Sequence, residues 1–175
     1  MSSVADTVNY IPGITTHQGE NNRDQIVVRG NSSSADFYVN GVRDDVQYYR
    51  DLYNVERIEA LKGPNGMVFG RGGGGGVVNR VTKHAGFIRS GETMLQAGSF
   101  GNRRFSADLN QPLTTALALR LNGVFEDADS FRRGVGLQRY GVAPSITYVA
   151  SARTMCGREY GFRAQPRCRP YCGAP

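Results

Sequence analysis

Three stretches between Arg104 and Val149 alternate apolar with polar or small side chains at a strict period of two. Phe105, Ala107 and Leu109 alternate with Ser106, Asp108 and Asn110. Leu117, Leu119, Leu121, Gly123 and Phe125 alternate with Ala118, Arg120, Asn122, Val124 and Glu126, and Tyr140 to Val149 repeats the pattern. Successive side chains of a strand point to opposite faces, so each stretch predicts a strand with one apolar face. A soluble sandwich would give the same alternation. The connections separate the two readings: a tight link follows Asn110, and a longer polar loop, Asp127 to Arg139, follows the next strand. Short and long connections between strands of about 10 residues predict antiparallel strands of a transmembrane barrel, with Arg120 and Glu126 on a polar inner face.

Upstream, glycine and asparagine punctuate β-type runs at Gln25–Gly30, Ala35–Arg43 and Val55–Gly63, and Asn40-Gly41 is a tight-turn pair. A short helix is expected around Ala5 to Tyr10, stopped by Ile11-Pro12-Gly13. A second is expected over Asp45 to Asn54. After Ala150 the alternation ends. Residues 151–175 are rich in Arg, Pro, Gly and Cys without a period, and read as an unrelated or out-of-frame tail to which no function is attached.

Six glycines lie between Gly70 and Gly76, and Gly70, Gly72 and Gly75 satisfy the spacing of a dinucleotide-binding loop. That chemistry requires a helix next, because the pyrophosphate rests on a helix N-terminus. The residues that follow, VVNRVTK, read as a strand, and no Gly-Lys-Ser/Thr closes the run. The glycines therefore predict a compact turn between two buried strands.

The net charge of +6 would invite a nucleic-acid partner. Five Arg and one Glu in residues 151–175 account for +4, leaving +2 for residues 1–150, so no nucleic acid is expected. The three cysteines, Cys156, Cys168 and Cys172, also lie there, far from His17 and His84, and make neither a zinc set nor a closed disulfide set. No window holds the roughly 18 apolar residues of a membrane helix, and the first residues lack the basic and apolar regions of a signal peptide. Neither a nucleophile elbow nor a His beside a nucleophile is present, so no enzyme is expected and no catalytic residue is assigned.

The order IPGI, IVVRGN, FYVNGVRD and VERIEALKGPNGMVFGRGGGGGVVNRVTK resembles the plug domain of TonB-dependent outer-membrane receptors, nearest to the siderophore branch. LQAGSFGNRRFSADLNQPL resembles the start of that family's barrel. The resemblance covers Val4 to Ala150 and implies a mixed α/β plug, a small sheet with short helices, at residues 1–85. About four first strands of an incomplete transmembrane β-barrel follow at residues 86–150. A whole receptor of this kind closes a barrel of about 22 strands around its plug. The chain therefore reads as a fragment that lacks the signal peptide and the TonB-contacting segment and does not itself transport.

The resemblance also implies roles. The ligand is a ferric siderophore, whose iron arrives already chelated, so neither a cofactor nor a protein-bound metal is expected. The partners are the TonB complex of the inner membrane and the lipid of the cell outer membrane, where the full-length parent resides. Arg29 and Lys62 match the basic plug positions that pair with barrel glutamates and lock the plug. Plug apices at Asn31–Asp36 and Arg43–Tyr53 should face the ligand, with Asn31, Arg43, Tyr48, Tyr49 and Arg50 offering polar groups, cations and aromatic faces. Gly63, Pro64, Gly70, Gly72, Gly75 and Gly76 form the structural glycine turn. A receptor for cobalamin, haem or a glycan would share the same plug, and a soluble β-rich binding module is the alternative outside the family.

Overall fold

The computed structural model describes residues 3–19, 23–33, 36–46, 48–63, 66, 69, 75–129, 136–151, 154–159 and 162–163. The chain divides into two compact units, Met1–Lys83 and His84–Pro175.

The first unit opens with α1, Val4–Val8. Ser3 caps it, its hydroxyl accepting from the Asp6 N–H at 3.0 Å, and the acidic Asp6 in the first turn suits the positive end of the helix dipole. Val4 and Val8, one turn apart, are both fully buried. Three antiparallel strands follow in the order β1 (Ile14–Gly19), β2 (Arg23–Val28), β3 (Asn31–Ser33). The β2–β3 hairpin turns through Arg29 and Gly30 with φ of 51° and 83°, the left-handed pair a two-residue hairpin requires.

A second sheet has the order β5 (Val42–Arg43), β4 (Phe37–Val39), β7 (Gly76–Thr82), β6 (Val55–Lys62). Asn40 and Gly41, at φ 51° and 81°, form the tight turn expected between β4 and β5. β7 pairs parallel with β4 and antiparallel with β6, and every residue of it except Val81 is buried. This central strand joins the core made by Val4, Val8, Ile14, Ile26, Val28, Phe37 and Val78. A strand therefore follows the glycine run, as the sequence predicts, and the helix a phosphate site needs is absent there.

No helix forms over the described residues of Asp45 to Asn54, contrary to expectation. The Arg50 guanidinium donates to the carbonyls of Asp44, Val46 and Tyr48, and the carboxylate of Asp24 accepts from the Arg50 N–H. In a helix the Val46 carbonyl would have paired with the Arg50 N–H, and here each has another partner. β1 and β3 are also additions to the expected elements; Asn31–Ser33, read as apex, pairs with β2.

The second unit is an antiparallel meander, β8 (Ser90–Ala97), β9 (Arg103–Pro112), β10 (Leu117–Asp129), β11 (Gly136–Ser151) and β12 (Thr154–Glu159), with β13 (Phe162–Arg163) also on β11. The tight β9–β10 link is closed by Leu113 N–H to Leu117 O at 2.9 Å and by Thr114 Oγ1, which accepts from Ala116 and Leu117. The long polar loop is shorter than expected, because β10 and β11 pair outward through Glu126↔Arg139 as far as Asp129↔Gly136. Regular structure also continues past the expected boundary at Ala150. β11 offers a long row of backbone donors and acceptors, and Thr154–Glu159 pairs with it although its side chains carry no period. Cys168 and Cys172 lie outside the described residues.

The alternation of this sheet is inverted relative to a water-soluble one. On β10 and β11, Leu119, Leu121, Phe125, Tyr140, Val142, Ile146 and Tyr148 are exposed, from 38% at Leu119 to 51% at Tyr140. Asn122 and Glu126, on the opposite face of β10, are exposed by only 1% and 4%.

Candidate functional site

The polar residues of the first unit converge around β7. Asn79 donates to Glu59 Oε2 at 2.9 Å and accepts from the Gly41 N–H at 3.1 Å, fastening the β4–β5 turn to β6 across the central strand. The Asn79 amide, with Arg57 beside it, holds the Glu59 carboxyl below the ordinary range. Asn40 bonds Thr82 twice, accepting from its N–H at 3.0 Å and donating to its hydroxyl at 2.7 Å.

Arg80 is 1% exposed and reaches from β7 to Asp44, and its Nη2 also donates to the Tyr48 hydroxyl at 2.7 Å. The Tyr48 hydroxyl in turn donates to Asp44 Oδ2. Arg50 Nε lies 3.5 Å from the same carboxylate oxygen. The Arg50 guanidinium is packed between two rings, 3.8 Å from the Phe37 centroid and 4.6 Å from that of Tyr48. Burial pushes the Arg50 guanidinium below its usual range against the pull of Asp44, and raises the carboxyl of Asp24 against the Arg50 N–H bond. Arg80 Nε and Nη1 and Asp24 Oδ1 are buried without a hydrogen-bond partner.

The expected apical residues separate in this geometry. Tyr48 and Arg50 meet in the cluster, whereas Arg43 is exposed on β5 and Asn31 is exposed at the start of β3, on the other sheet. Tyr49 is half-buried. Arg50 requires a correction: its side chain has no exposure and its donors point to three carbonyls, so it supports the apex from within. The sequence reading missed Arg80, Asp44 and Asp24. The one sequence signal was a cation inside the apolar strand VVNRV, which demands a buried partner without saying which.

Arg29 is exposed at the β2–β3 turn. Lys62, at the end of β6, donates from Nζ to the carbonyl of Pro12. Gly63 has φ 64°. A Cβ on Gly75 would stand 2.5 Å from the Val28 carbonyl oxygen, and one on Gly76, at φ 145°, would stand 2.5 Å from that of Leu61. These two glycines thus lie where the chain entering β7 presses on β2 and β6. Pro64, Gly70 and Gly72 lie outside the described residues.

In the second unit, Glu126 accepts from both Arg104 and Arg139, and Arg120 makes a two-point pair with Asp108 at 2.8 and 2.7 Å. Asn110 bonds the backbone of Gly86 and Ile88, tying the chain that precedes β8 to β9. The shielded face of this sheet is therefore a set of paired charges and amides.

Residues 1–77 match the family described as the TonB-dependent Receptor Plug Domain. The chain is 34% identical over 153 residues to the catecholate siderophore receptor Fiu of Escherichia coli O157:H7, a match that covers 84% of this chain and 20% of the relative. It is 33% identical over 165 residues to the ferrioxamine B receptor of Salmonella typhimurium, covering 87% of this chain and 24% of the relative. The crystal structure of the siderophore receptor PiuA from Acinetobacter baumannii superposes with a TM-score of 0.84 at 28% identity, over 93% of this chain and 24% of that one. The chain thus spans about a quarter or less of the length of these relatives.

Proposed function

This chain belongs, through residues 1–77, to the TonB-dependent receptor plug family, and on that premise we propose that it is part of an outer-membrane receptor that binds and admits a ferric siderophore. The carrying observation is the extent of the similarity to Fiu. A match over 84% of the chain cannot be contained in the plug unit of residues 1–83, so it runs on into the inverted sheet. That sheet suits lipid on its apolar face and a polar interior on the other, and a soluble module would leave its large exposed side chains in water.

In this reading the siderophore carries its iron as cargo, and the ligand meets Asn31, Arg43, Tyr48 and Tyr49. Arg50 is left out because it is buried. Arg29 and Lys62 hold the plug by pairing with barrel carboxylates beyond the strands described above. The TonB complex supplies the energy for release, and no catalysis is involved. The strand path from β12 to β8 is open; an open edge leaves backbone groups unpaired in lipid, so transport requires the sheet to be closed into a barrel.

The test is iron uptake by cells of the source bacterium in which the reading frame encoding this chain is disrupted. Radiolabelled iron is supplied to iron-starved cells as a ferric catecholate and as a ferric trihydroxamate. Loss of one uptake, restored by complementation, is the expected result. Unchanged uptake of both overturns the siderophore assignment.

A further inference from the structure

The carboxylate of Asp44 is held as a bound anion would be held. One oxygen, Oδ2, accepts from both Arg80 Nη2 and the Tyr48 hydroxyl, and Arg50 Nε lies at ion-pair distance, 3.5 Å, without a hydrogen bond to it. We propose that Arg80 and Tyr48 form an oxyanion-binding site in the plug unit, occupied here by the protein's own Asp44 and open to an external carboxylate-type anion that displaces it. This inference names the chemical group the apical ligand presents, and it rests on the receptor reading only for the natural source of that group.

Three observations carry it. The two cations are buried, Arg50 with no exposure and Arg80 at 1%, whereas the side chain of Asp44 keeps 14% exposure and Tyr48 is half-buried, so these two are the members of the cluster reached from solvent. Arg80 also retains two buried N–H donors, on Nε and Nη1, without an acceptor. A single carboxylate oxygen leaves these donors unsatisfied, and an anion with further oxygens on the same guanidinium would satisfy a two-point pairing. Finally, the residues that follow Asp44 are exposed, Val46 at 61%. The anchors here are the Asp44 N–H on the Phe37 carbonyl at 2.8 Å, the Arg50 guanidinium on the carbonyls of Asp44 and Val46, and the Asp44 carboxylate, so displacing the carboxylate removes one tether of this short strap and leaves β7 in place.

An internal carboxylate competes at an effective concentration on the order of millimolar. The site therefore shows weak affinity in the native chain and a higher one when that carboxylate is neutralised. The probe is inorganic phosphate, titrated against chloride at matched ionic strength with the full chain folded in detergent micelles. In the native chain, phosphate is expected to speed amide exchange at residues 44–46 and 48–50 while β6 and β7 keep their protection. Asp44→Asn is expected to bind phosphate about tenfold more tightly by calorimetry, and adding Arg80→Met to that variant is expected to abolish the gain. Equal affinity in native and Asp44→Asn chains, or a double variant that binds like Asp44→Asn, overturns the proposal. Should Asp44→Asn fail to fold, the native exchange experiment decides alone: no phosphate-dependent change at the strap rejects the site. None of these titrations contains a siderophore, so phosphate binding without siderophore-dependent iron uptake would sink the receptor reading and leave the site standing.

Discussion

Arg104 on β9 and Arg139 on β11 both donate to the same oxygen of Glu126, Oε2, on the strand between them. All three side chains are at most 9% exposed. One carboxylate thus holds two guanidiniums whose charges would otherwise repel across β10, and removing its charge leaves both cations buried and undercompensated. Glu126→Gln is expected to lower the stability of the sheet by about 3 kcal/mol, read as a shifted denaturant midpoint in detergent micelles. Adding Arg104→Met should recover part of that loss. A midpoint unmoved by Glu126→Gln refutes the pairing as a stabilising element.

Arg50 and Arg43 both lie in the stretch expected to face the ligand, and the structure gives them different work. Arg50→Lys loses a flat group that serves three carbonyls and packs between two rings, which a single ammonium cannot reproduce. The expected loss is about 3 kcal/mol of plug stability, seen by thermal or urea unfolding. Arg43→Ala, at an exposed position, should cost the plug less than Arg50→Lys and weaken ferric-siderophore binding by the parent receptor about tenfold. If Arg43→Ala unfolds the plug and Arg50→Lys does not, the two assignments are reversed.

Asp24 predicts an unusual pH response. Its carboxyl is raised above the ordinary 3.8 by burial, so the folded chain binds its proton more tightly than the unfolded chain does. Stability from this group therefore falls as pH rises from about that value through the raised one. Asp24→Asn keeps an oxygen to accept from the Arg50 N–H and removes the buried charge. The variant should match or exceed the native chain at pH 7 and lose that part of the slope. Glu59 acts in the opposite sense, because its lowered carboxyl contributes stability that is lost as pH falls through the acid range. A native stability that rises steadily from pH 4 to 7, unchanged by Asp24→Asn, contradicts the burial argument.

Gly75 and Gly63 separate two reasons for glycine. Gly75→Ala drives a Cβ into the Val28 backbone, 2.5 Å from its carbonyl oxygen, and should cost about 1–3 kcal/mol. Gly63→Ala meets nothing within 4 Å and pays only for its φ of 64°, about 1 kcal/mol. Melting curves of the two variants, measured side by side, should rank Gly75→Ala as the more harmful; the reverse order refutes the close approach.

The periodic strands were legible because period-two alternation is local: Phe105, Leu121 and Tyr140 declare their face without reference to a partner. The Asn40-Gly41 turn and the strand after the glycines were legible for the same reason, since backbone conformation there follows from residue type. The helix expected over Asp45–Asn54 failed because its competitor, the Arg50 side chain, acts only after the chain has folded back on Asp24 and Phe37. Continued pairing beyond Ala150 was hidden because a strand edge accepts backbone whatever its side chains say.

By itself the sequence determined the β character of both units, the inverted faces of the second, the need for glycine ahead of β7 and the resemblance to a receptor plug. All of these rest on residue type and near-neighbour spacing. Only the tertiary structure decided that Arg50 is buried, that Arg80 and Asp44 meet across 36 residues of chain and that Glu126 serves two guanidiniums. Charge pairing in a buried site depends on distance in space and on the loss of water around it, and neither quantity is written in the order of the residues.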